Sequence, residues 1–143
     1  MRVLLDTNIV LDVLLNRVPW FNDSQAVWQT HEKGKVRGHI AASTLTNIFY
    51  ISRRSVGLAT AHGIVRECLR TFDICPVDRY ALEQAARLIG SDFEDNLQIA
   101  CATIAGVDAI VTRDKGGFAA APMIVLTPSE LLEPVMHFQL CAN

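Results

Sequence analysis

The sequence predicts an α/β protein, built as a three-layer α/β/α sandwich around a central and mainly parallel sheet. Short apolar runs alternate with amphipathic stretches along the whole chain, which is the order of repeated strand–helix units. The apolar runs lack polar alternation, as is typical of parallel strands that helices cover on both faces. The 143 residues, 50% of them hydrophobic and 20% charged, are enough for one domain over residues 1–143 with its own core.

Short apolar runs predict the strands of this sheet. Val3-Leu4-Leu5 is the first, and it is wholly apolar, as expected for a strand buried on both faces. A later run, from Ala109 to Thr112, is similar and leads directly into Arg113. The predicted strands cover residues 3–5, 38–43, 72–77, 109–112 and 124–126.

Helices are predicted between these strands because apolar residues recur there at helical spacing. The first helix begins directly after the first strand at Asp6-Thr7-Asn8, residue types suited to a helix N-cap, and ends near Pro19. The last helix begins at Thr127 and has proline at its first helical position. The helices between them cover residues 22–33, 43–53, 59–71, 78–89 and 93–106.

The overall charge gives a mild argument against a nucleic-acid ligand. The formal net charge is -2, from 13 basic and 15 acidic residues, whereas nucleic-acid binding depends mainly on excess Lys and Arg. The two are compatible if the acidic residues concentrate in a metal site and the basic residues lie around it. The hydrophobic excess also indicates an apolar surface for a partner or for self-association.

The beginning of the chain and the cysteines predict a soluble, cytoplasmic protein without membrane association. The sequence before Asp6 does not resemble a signal peptide, and no apolar run approaches the ~20 residues needed to span a bilayer. The cysteines are far apart and show neither zinc nor disulfide spacing. We therefore expect buried free thiols in a reducing compartment at Cys68, Cys75, Cys101 and Cys141.

Acidic side chains follow two predicted strands at the point where each strand ends. Asp6 comes after the first strand, and Asp114 comes after the fourth. A third group, Asp92, Glu94 and Asp95, stands at the start of the helix that leads into the fourth strand. Ligands of open α/β sheets bind outside the carboxyl ends of the strands. Because crowded carboxylates are unfavourable without a cation and hard oxygen ligands suit Mg²⁺ or Mn²⁺, the pattern predicts a divalent-metal site.

Each acidic position also has a purely structural interpretation. Asp6 fits a helix N-cap, and Asp114 fits the start of a turn. The acids of residues 92–95 suit the positive end of a helix dipole. Their coincidence at one edge of the sheet favours a metal site over three separate structural roles.

The sequence contains no other motif that indicates catalysis. There is no GxGxxG or GxxxxGK[ST] phosphate loop and no GxSxG nucleophile turn. No histidine has ligand spacing, so we interpret all four as surface or core residues: His31, His39, His62 and His137. Several cations are candidates for a substrate-binding path, although solvent exposure is the default explanation for each: Arg113, Lys115, Arg17, Arg53 and Arg54.

Three motifs follow one another over nearly the full chain. LLDTNIVLD begins at residue 4, DFEDNLQIACA at residue 92 and IVTRD at residue 110. Together they resemble the PIN-domain family, and especially its VapC-like bacterial branch. The second motif resembles the form typical of one PIN subfamily. The resemblance implies the PIN form of a Rossmann-like α/β/α sandwich.

The resemblance further implies a metal-dependent endoribonuclease, the toxin of a toxin–antitoxin pair, which cleaves RNA with a metal-activated water. Asp6 and Asp95 would be direct or water-mediated ligands of Mg²⁺ or Mn²⁺, and Asp114 would complete the site. Further residues would support these ligands by hydrogen bonds or as accessory acids: Asn8, Thr112, Asp92 and Glu94. The expected partners are the RNA substrate, an antitoxin protein and a second copy of the chain in a homodimer.

Two positions depart from the family pattern. Asn47 stands where the family usually has its second acid, and its amide oxygen can coordinate Mg²⁺ but adds no charge. Gly117 stands where many relatives have an acid before the phenylalanine of the last motif. These departures support a second hypothesis, a PIN-fold module that binds RNA or protein without cleavage. A third, a phosphotransfer domain with Asp6 as acceptor, is less favoured because Asn8 replaces the second acid of aspartyl phosphatases.

Overall fold

A computed structural model describes residues 1–133 of the chain. At its centre is a parallel sheet whose strands are β1 (Arg2–Leu5), β2 (Arg37–Ala41), β3 (Asp73–Cys75), β4 (Ala109–Val111) and β5 (Ile124–Leu126). Their spatial order is β3-β2-β1-β4-β5, and every neighbouring pair is parallel. With helices on both faces, the predicted three-layer α/β/α sandwich is confirmed.

Helices connect the strands and cover both faces of the sheet. They are α1 (Thr7–Leu14), α2 (Phe21–Glu32), α3 (Ala42–Val56), α4 (Leu58–Thr71), α5 (Arg79–Arg87) and α6 (Phe93–Ala105). A further helix includes residues 128–133 at the end of the described part of the chain. A short 3₁₀ helix, Lys115–Phe118, follows β4 and was not predicted from the sequence.

The two largest differences between predicted and observed helix ends have reasons that lie in the backbone. α1 ends at Leu14, earlier than predicted, because Asn16 adopts a left-handed conformation with φ 49° that cannot continue a right-handed helix. α3 extends farther than predicted, to Val56. It ends at Gly57, whose φ of 86° is readily adopted only by a residue without a side chain.

The alternation of side chains along β1 explains why this strand contains no polar residue after Arg2. Val3 and Leu5 belong to the core on one face of the sheet, and Leu4 belongs to the core on the other. Helices α1 to α4 contribute to the first core, and α5 and α6 contribute to the second. Burial on both faces therefore accounts for the wholly apolar run.

The strand order reverses at β1, which pairs with β2 on one side and with β4 on the other. Leu5 lies level with Val111 in this register, and the N–H of Asp6 donates to the carbonyl oxygen of Val111 at 3.0 Å. Asp6 and Thr112 therefore leave the sheet side by side. Such a reversal is where open α/β sheets bind their ligands.

The cysteines and histidines of the described residues take structural positions, as predicted. Three are buried free thiols, namely Cys68, Cys75 and Cys101, and burial raises the pKa of Cys68 to about 11. Of the histidines, one is buried, one half-buried and one exposed: His39, His31 and His62. Cys141 and His137 lie outside the described residues. No helix within residues 1–133 is long and apolar enough to cross a membrane.

Candidate active site

Asp6 occupies the N-cap position of α1, but its carboxylate does not cap the helix. The side chain is 7% exposed, and both of its oxygens accept hydrogen bonds from other elements. Oδ1 accepts from Nε2 of Gln98 at 3.0 Å, and Oδ2 accepts from Oγ1 of Thr112 at 2.8 Å. Asp6 is therefore held by α6 and by the end of β4, which excludes the simple capping role.

At the start of α6, one acid caps the helix and another accepts hydrogen bonds from side chains of other elements. Asp92 is the N-cap, and its Oδ1 accepts from the backbone N–H groups of Glu94 and Asp95 at 2.9 and 3.2 Å. Oε1 of Glu94 accepts from Nδ2 of Asn47 at 2.6 Å and from the hydroxyl of Thr7 at 3.2 Å. The negative charges at this helix start can therefore interact with the helix dipole, as predicted, and the Glu94 carboxylate can also take part in binding.

Asp114 begins the 3₁₀ helix that follows β4. Its Oδ1 accepts from the N–H of Gly116 at 3.0 Å, as expected for an aspartate that starts a turn. Its own N–H donates to Oγ1 of Thr112 at 3.1 Å. Because Thr112 also donates to Asp6, this single hydroxyl links two of the predicted metal ligands.

One pocket of about 380 Å³ at the carboxyl edge of the sheet brings most of the predicted site residues together. Its lining contains all the predicted acids and both predicted amides: Asp6, Asp92, Glu94, Asp95, Asp114, Asn8 and Asn47. Thr7, Ile51 and Phe118 form the rest of its wall. Thr112 supports the pocket through its hydrogen bond to Asp6.

The surroundings raise the pKa of Asp95 to about 7. Burial of the side chain is the largest cause, followed by the negative charges of Asp92, Asp6, Glu94 and Asp114. The acids are therefore close enough to repel one another. None of the side chains that line the pocket is cationic, so a bound divalent cation would relieve this repulsion.

The raised pKa predicts that Asp95→Asn stabilises the metal-free protein. The pKa of Asp95 in the folded protein, about 7, lies above its ordinary value of 3.8. The protonated form of Asp95 therefore favours the folded state, and this contribution to the free energy of unfolding is lost as the pH rises through about 7. In EDTA at pH 8 we expect the variant to gain about 1–2 kcal/mol, less than the pKa difference implies because Asp95 is partly exposed.

Urea denaturation in EDTA between pH 4 and 8 measures this gain. The difference between the variant and the wild type should shrink toward pH 4. Asp23→Asn removes the same charge from an exposed position of α2 and is the matched control. A gain for Asp95→Asn that stays constant with pH would contradict the assignment of the raised pKa.

Arg113 and Lys115, the predicted substrate contacts, do not line the acidic pocket. Nε of Arg113 lies 2.8 Å from Oδ2 of the fully buried Asp12, and its guanidinium lies 3.8 Å above the ring of Trp20. Lys115 forms an ion pair with Glu130. Each cation thus has a carboxylate partner, and substrate contact stays a prediction for both.

The family model described as the PIN domain matches residues 2–116 of the chain. The chain belongs to the PIN-domain family. The matched segment contains every acidic residue of the pocket, so the family assignment and the site involve the same residues. None of the curated proteins compared with the chain matches it.

Solved structures share this PIN fold at low sequence identity. The FitAcB structure from Neisseria gonorrhoeae has a TM-score of 0.66 at 21% identity, over 89% of this chain and 98% of that chain. A toxin–antitoxin complex from Klebsiella pneumoniae has a TM-score of 0.64 at 22% identity, and the likeness covers 88% of this chain and 97% of that chain. VapC20 from Mycobacterium tuberculosis, a sarcin-ricin loop cleaving toxin, has a TM-score of 0.67 at 15% identity, and the likeness covers 85% of this chain and 96% of that chain. At these identities the likeness shows the fold.

Asn47, the predicted counterpart of the family's second acid, is tied to Glu94. Its Nδ2 donates to Oε1 of Glu94 at 2.6 Å, a charge-assisted hydrogen bond that orients the carboxylate. Glu94 lines the same pocket as Asn47. The pocket therefore has a carboxylate beside position 47, and Asn47 supplies the donor that holds it.

Gly117, the predicted counterpart of an acid in many relatives, leaves room for Asp95. A Cβ atom at position 117 would lie 2.2 Å from Oδ2 and 3.0 Å from Cγ of Asp95. A side chain at position 117 and the observed orientation of Asp95 therefore exclude each other. The glycine and the position of the Asp95 carboxylate belong together in this chain.

Two residues near the site, Gln98 and Asp12, were not predicted. Gln98 is fully buried in α6 and donates to Asp6, and the signal for it is a long polar side chain between Leu97 and Ile99. Asp12 is equally buried in α1. In both cases the signal is a polar residue on an apolar helix face, which requires a buried partner that the sequence does not identify.

The donor atoms of the pocket fit a hard divalent cation. They are carboxylate and amide oxygens, the ligand types that Mg²⁺ and Mn²⁺ prefer. Within residues 1–133 no group of three or more His, Cys, Asp or Glu side chains is arranged to hold a metal ion directly. Mg²⁺ usually keeps several waters and contacts one or two carboxylates. The pocket therefore suits an ion that some of its carboxylates contact directly and the others contact through water.

Proposed function

We propose that this PIN domain is a divalent-metal-dependent endoribonuclease that cleaves RNA phosphodiesters with a metal-activated water. The observation that carries the proposal is the pocket beside β1 and β4, where the predicted acids meet without a cationic side chain. Such crowding is unfavourable for the folded protein, as the raised pKa of Asp95 indicates. A cluster of this kind in a concave pocket is characteristic of a functional site.

Asp6, Asp95 and Asp114 would hold the cation directly or through water, and Asp92 and Glu94 would add negative charge around it. When bound, Mg²⁺ or Mn²⁺ lowers the pKa of a coordinated water and stabilises charge on the scissile phosphate. The chain itself orients the ligands through hydrogen bonds from fixed donors. RNA is a polyanion, so the acidic pocket repels it until a cation compensates the carboxylates.

We also propose that the protein is the toxin of a toxin–antitoxin pair, acts in the cytoplasm and forms a homodimer. The structural likeness to the Klebsiella pneumoniae complex supports an antitoxin partner. Large apolar side chains remain exposed on the described surface and are candidates for contacts with either protein: Tyr50, Leu58, Tyr80, Ile89 and Phe93. An antitoxin with a basic residue would complement the carboxylates of the pocket.

Cleavage of a pool of structured RNAs in Mg²⁺ or Mn²⁺ tests the enzymatic proposal. The wild type should cleave in a metal-dependent way, and Asp6→Asn and Asp95→Asn should abolish the cleavage. Asp23→Asn removes the same charge from an exposed surface and should leave cleavage unchanged. RNA binding without cleavage at any metal concentration would reject a nuclease.

That outcome would instead support the second hypothesis, a PIN-fold module that binds RNA or protein. The observation in its favour is Asn47, whose amide neither adds charge nor acts as a base. Asn47→Asp distinguishes the two functions. An inactive binding module should gain metal-dependent cleavage from the added acid, whereas an active nuclease should lose activity because Glu94 loses its donor.

Arg17 is a candidate contact for an RNA phosphate. Its NH1 donates to Oδ1 of Asn8, a residue of the pocket wall, at 3.2 Å. We expect Arg17→Ala to weaken RNA binding and to reduce the slope of log affinity against log salt by about 1, as for one lost phosphate contact. Fluorescence anisotropy in an Asp114→Asn background, which prevents cleavage, measures this change.

Arg79→Ala, on the exposed surface of α5, is the matched control for the loss of one arginine and should preserve both affinity and slope. An unchanged salt slope for Arg17→Ala would show that Arg17 makes no phosphate contact.

A further inference from the structure

Gln98 is a buried amide in the middle of an otherwise apolar stretch of α6. It is fully buried and lies one helical turn after Asp95. Its Nε2 donates to Oδ1 of Asp6 at 3.0 Å. Gln98 therefore connects the helix that carries one group of acids to the acid at the end of β1.

The hydrogen bond from Gln98 completes the coordination of the Asp6 carboxylate by protein donors. The other oxygen, Oδ2, accepts from Oγ1 of Thr112 at 2.8 Å. Oγ1 of Thr112 itself accepts from the N–H of Asp114 at 3.1 Å. The carbonyl oxygen of Asp114 lies 3.3 Å from Oγ1, farther than Oδ2 of Asp6, so the single hydroxyl proton points to Asp6. Each oxygen of Asp6 thus has its own neutral donor, which fixes the rotation of the carboxylate.

The orientation of the amide is also determined. Nε2 faces Oδ1 of Asp6, because the reverse orientation would bring two acceptor oxygens together. Oε1 then lies buried, without a hydrogen-bond partner among the described residues. An unpaired buried oxygen is unfavourable, and an apolar residue would avoid it at this position. Gln98 therefore lowers the stability of the fold through its unpaired oxygen, and its hydrogen bond to Asp6 explains why a glutamine is nevertheless present.

We propose that Gln98 is a positioning residue, which holds Asp6 at a fixed place relative to the acids of α6 so that both sides of the pocket engage the same cation. This inference rests on the proposed metal-dependent function. Asp6 and Asp95 repel each other, and a neutral donor on the helix of Asp95 links that helix to Asp6 without adding charge. Loss of the donor leaves Asp6 free to rotate away from the other ligands.

Asn96 provides a matched control on the same helix. It is also a buried amide, and its oxygen Oδ1 is likewise without a partner among the described residues. Its Nδ2, however, donates to the backbone carbonyl of Gly90 at 3.1 Å and not to an acid. If Gln98 has a purely structural role, replacing either amide should change only the stability of the protein. If Gln98 positions Asp6, only its replacement should also weaken the response to Mn²⁺.

The experiment compares Gln98→Met and Gln98→Leu with Asn96→Leu by thermal unfolding at increasing Mn²⁺, since an ion that binds the folded state raises the melting temperature. For the half-maximal rise of the melting temperature, we expect both Gln98 variants to require at least about tenfold more Mn²⁺ than the wild type. Losses of this size are typical when a supporting contact of a metal site is removed. Asn96→Leu should melt at a lower temperature but keep the wild-type Mn²⁺ midpoint. RNA cleavage against Mn²⁺ concentration should show the same displacement of the midpoint.

The two hydrophobic replacements differ in shape, so a packing defect of one does not remove the test. Equal Mn²⁺ midpoints for the wild type and the folded Gln98 variants, with cleavage intact, would overturn the positioning role and leave the nuclease proposal standing. A wild-type protein with neither a Mn²⁺ shift nor cleavage would overturn the nuclease proposal and this inference together.

Discussion

Arg113→Ala is expected to lower the free energy of unfolding by about 3–5 kcal/mol, although Arg113 does not line the pocket. Its guanidinium is the partner of Asp12, which is 0% exposed on α1. NH2 of Arg113 donates to Oδ1 of Asp12 at 3.0 Å, and Ser24 donates to Oδ2 at 3.1 Å. Without Arg113 the core keeps a carboxylate with one hydroxyl as its only donor among the described residues.

This ion pair also connects two parts of the candidate site. Arg113 lies between Thr112, which donates to Asp6, and Asp114, which lines the pocket. Asp12 belongs to the helix that begins directly after Asp6. The pair therefore fastens the end of β4 to α1, and its loss should weaken the response to Mn²⁺ as well as stability.

Urea denaturation of a matched series measures the effect. Arg79→Ala removes an exposed arginine from a surface ion pair with Glu83 and should cost less than about 1 kcal/mol. Asp12→Leu combined with Arg113→Met replaces the whole buried pair by apolar side chains and should recover most of the stability lost in Arg113→Ala. If Arg113→Ala lowers the free energy of unfolding no more than Arg79→Ala does, then Asp12 does not depend on Arg113 to compensate its charge, and this prediction is wrong.

The fold could be predicted from the sequence because its signals are local and repeated. The apolar run at Val3–Leu5 indicates burial on both faces, and a parallel sheet covered by helices provides this burial. The structure brings the acids at strand and helix ends into one pocket, because parallel strands end at one edge of the sheet and α6 begins at that edge. Their roles stay predictions. The helix ends were less predictable, as at Asn16, because one left-handed residue leaves no periodic signal.

The contacts that organise the site could not be predicted because they join residues far apart in the chain. Gln98 and Asp6 are separated by 92 residues, and Arg113 and Asp12 by 101. A sequence pattern identifies Gln98 as polar and internal, but it does not identify its partner. The same limit applies to Arg113, because a cation next to Asp114 in the sequence does not reveal that it pairs with the buried Asp12; its contact with substrate stays a prediction.

Gly117→Ala is expected to slow RNA cleavage by about 100-fold while changing stability by less than about 1 kcal/mol. The added Cβ would lie 2.2 Å from Oδ2 of Asp95, so the carboxylate has to move. Rotation of a short, partly exposed side chain is a small cost for the fold. For the metal-binding role proposed for Asp95 the same rotation has a large effect, because displacement by about 1 Å removes a ligand from its cation.

Gly117→Asp should have at least the same effect, although it restores the acid that many PIN domains have at this position. Such a restored acid cannot act together with Asp95 as long as both need the same space. Gly63→Ala, on α4 with no atom within 4 Å of the added Cβ, is the control and should retain full cleavage.

A double-mutant cycle separates this steric effect from a general defect in the loop. Asp95→Ala removes the atoms that the new Cβ would meet, so Gly117→Ala should cause no further rise of the Mn²⁺ midpoint in that background. Independent, additive effects of the two substitutions would mean that Gly117 acts through something other than Asp95. Non-additivity would instead establish that the departure at position 117 and the orientation of Asp95 are one feature, in which the chain gives up an acid on the 3₁₀ helix to place an acid of α6 in the pocket.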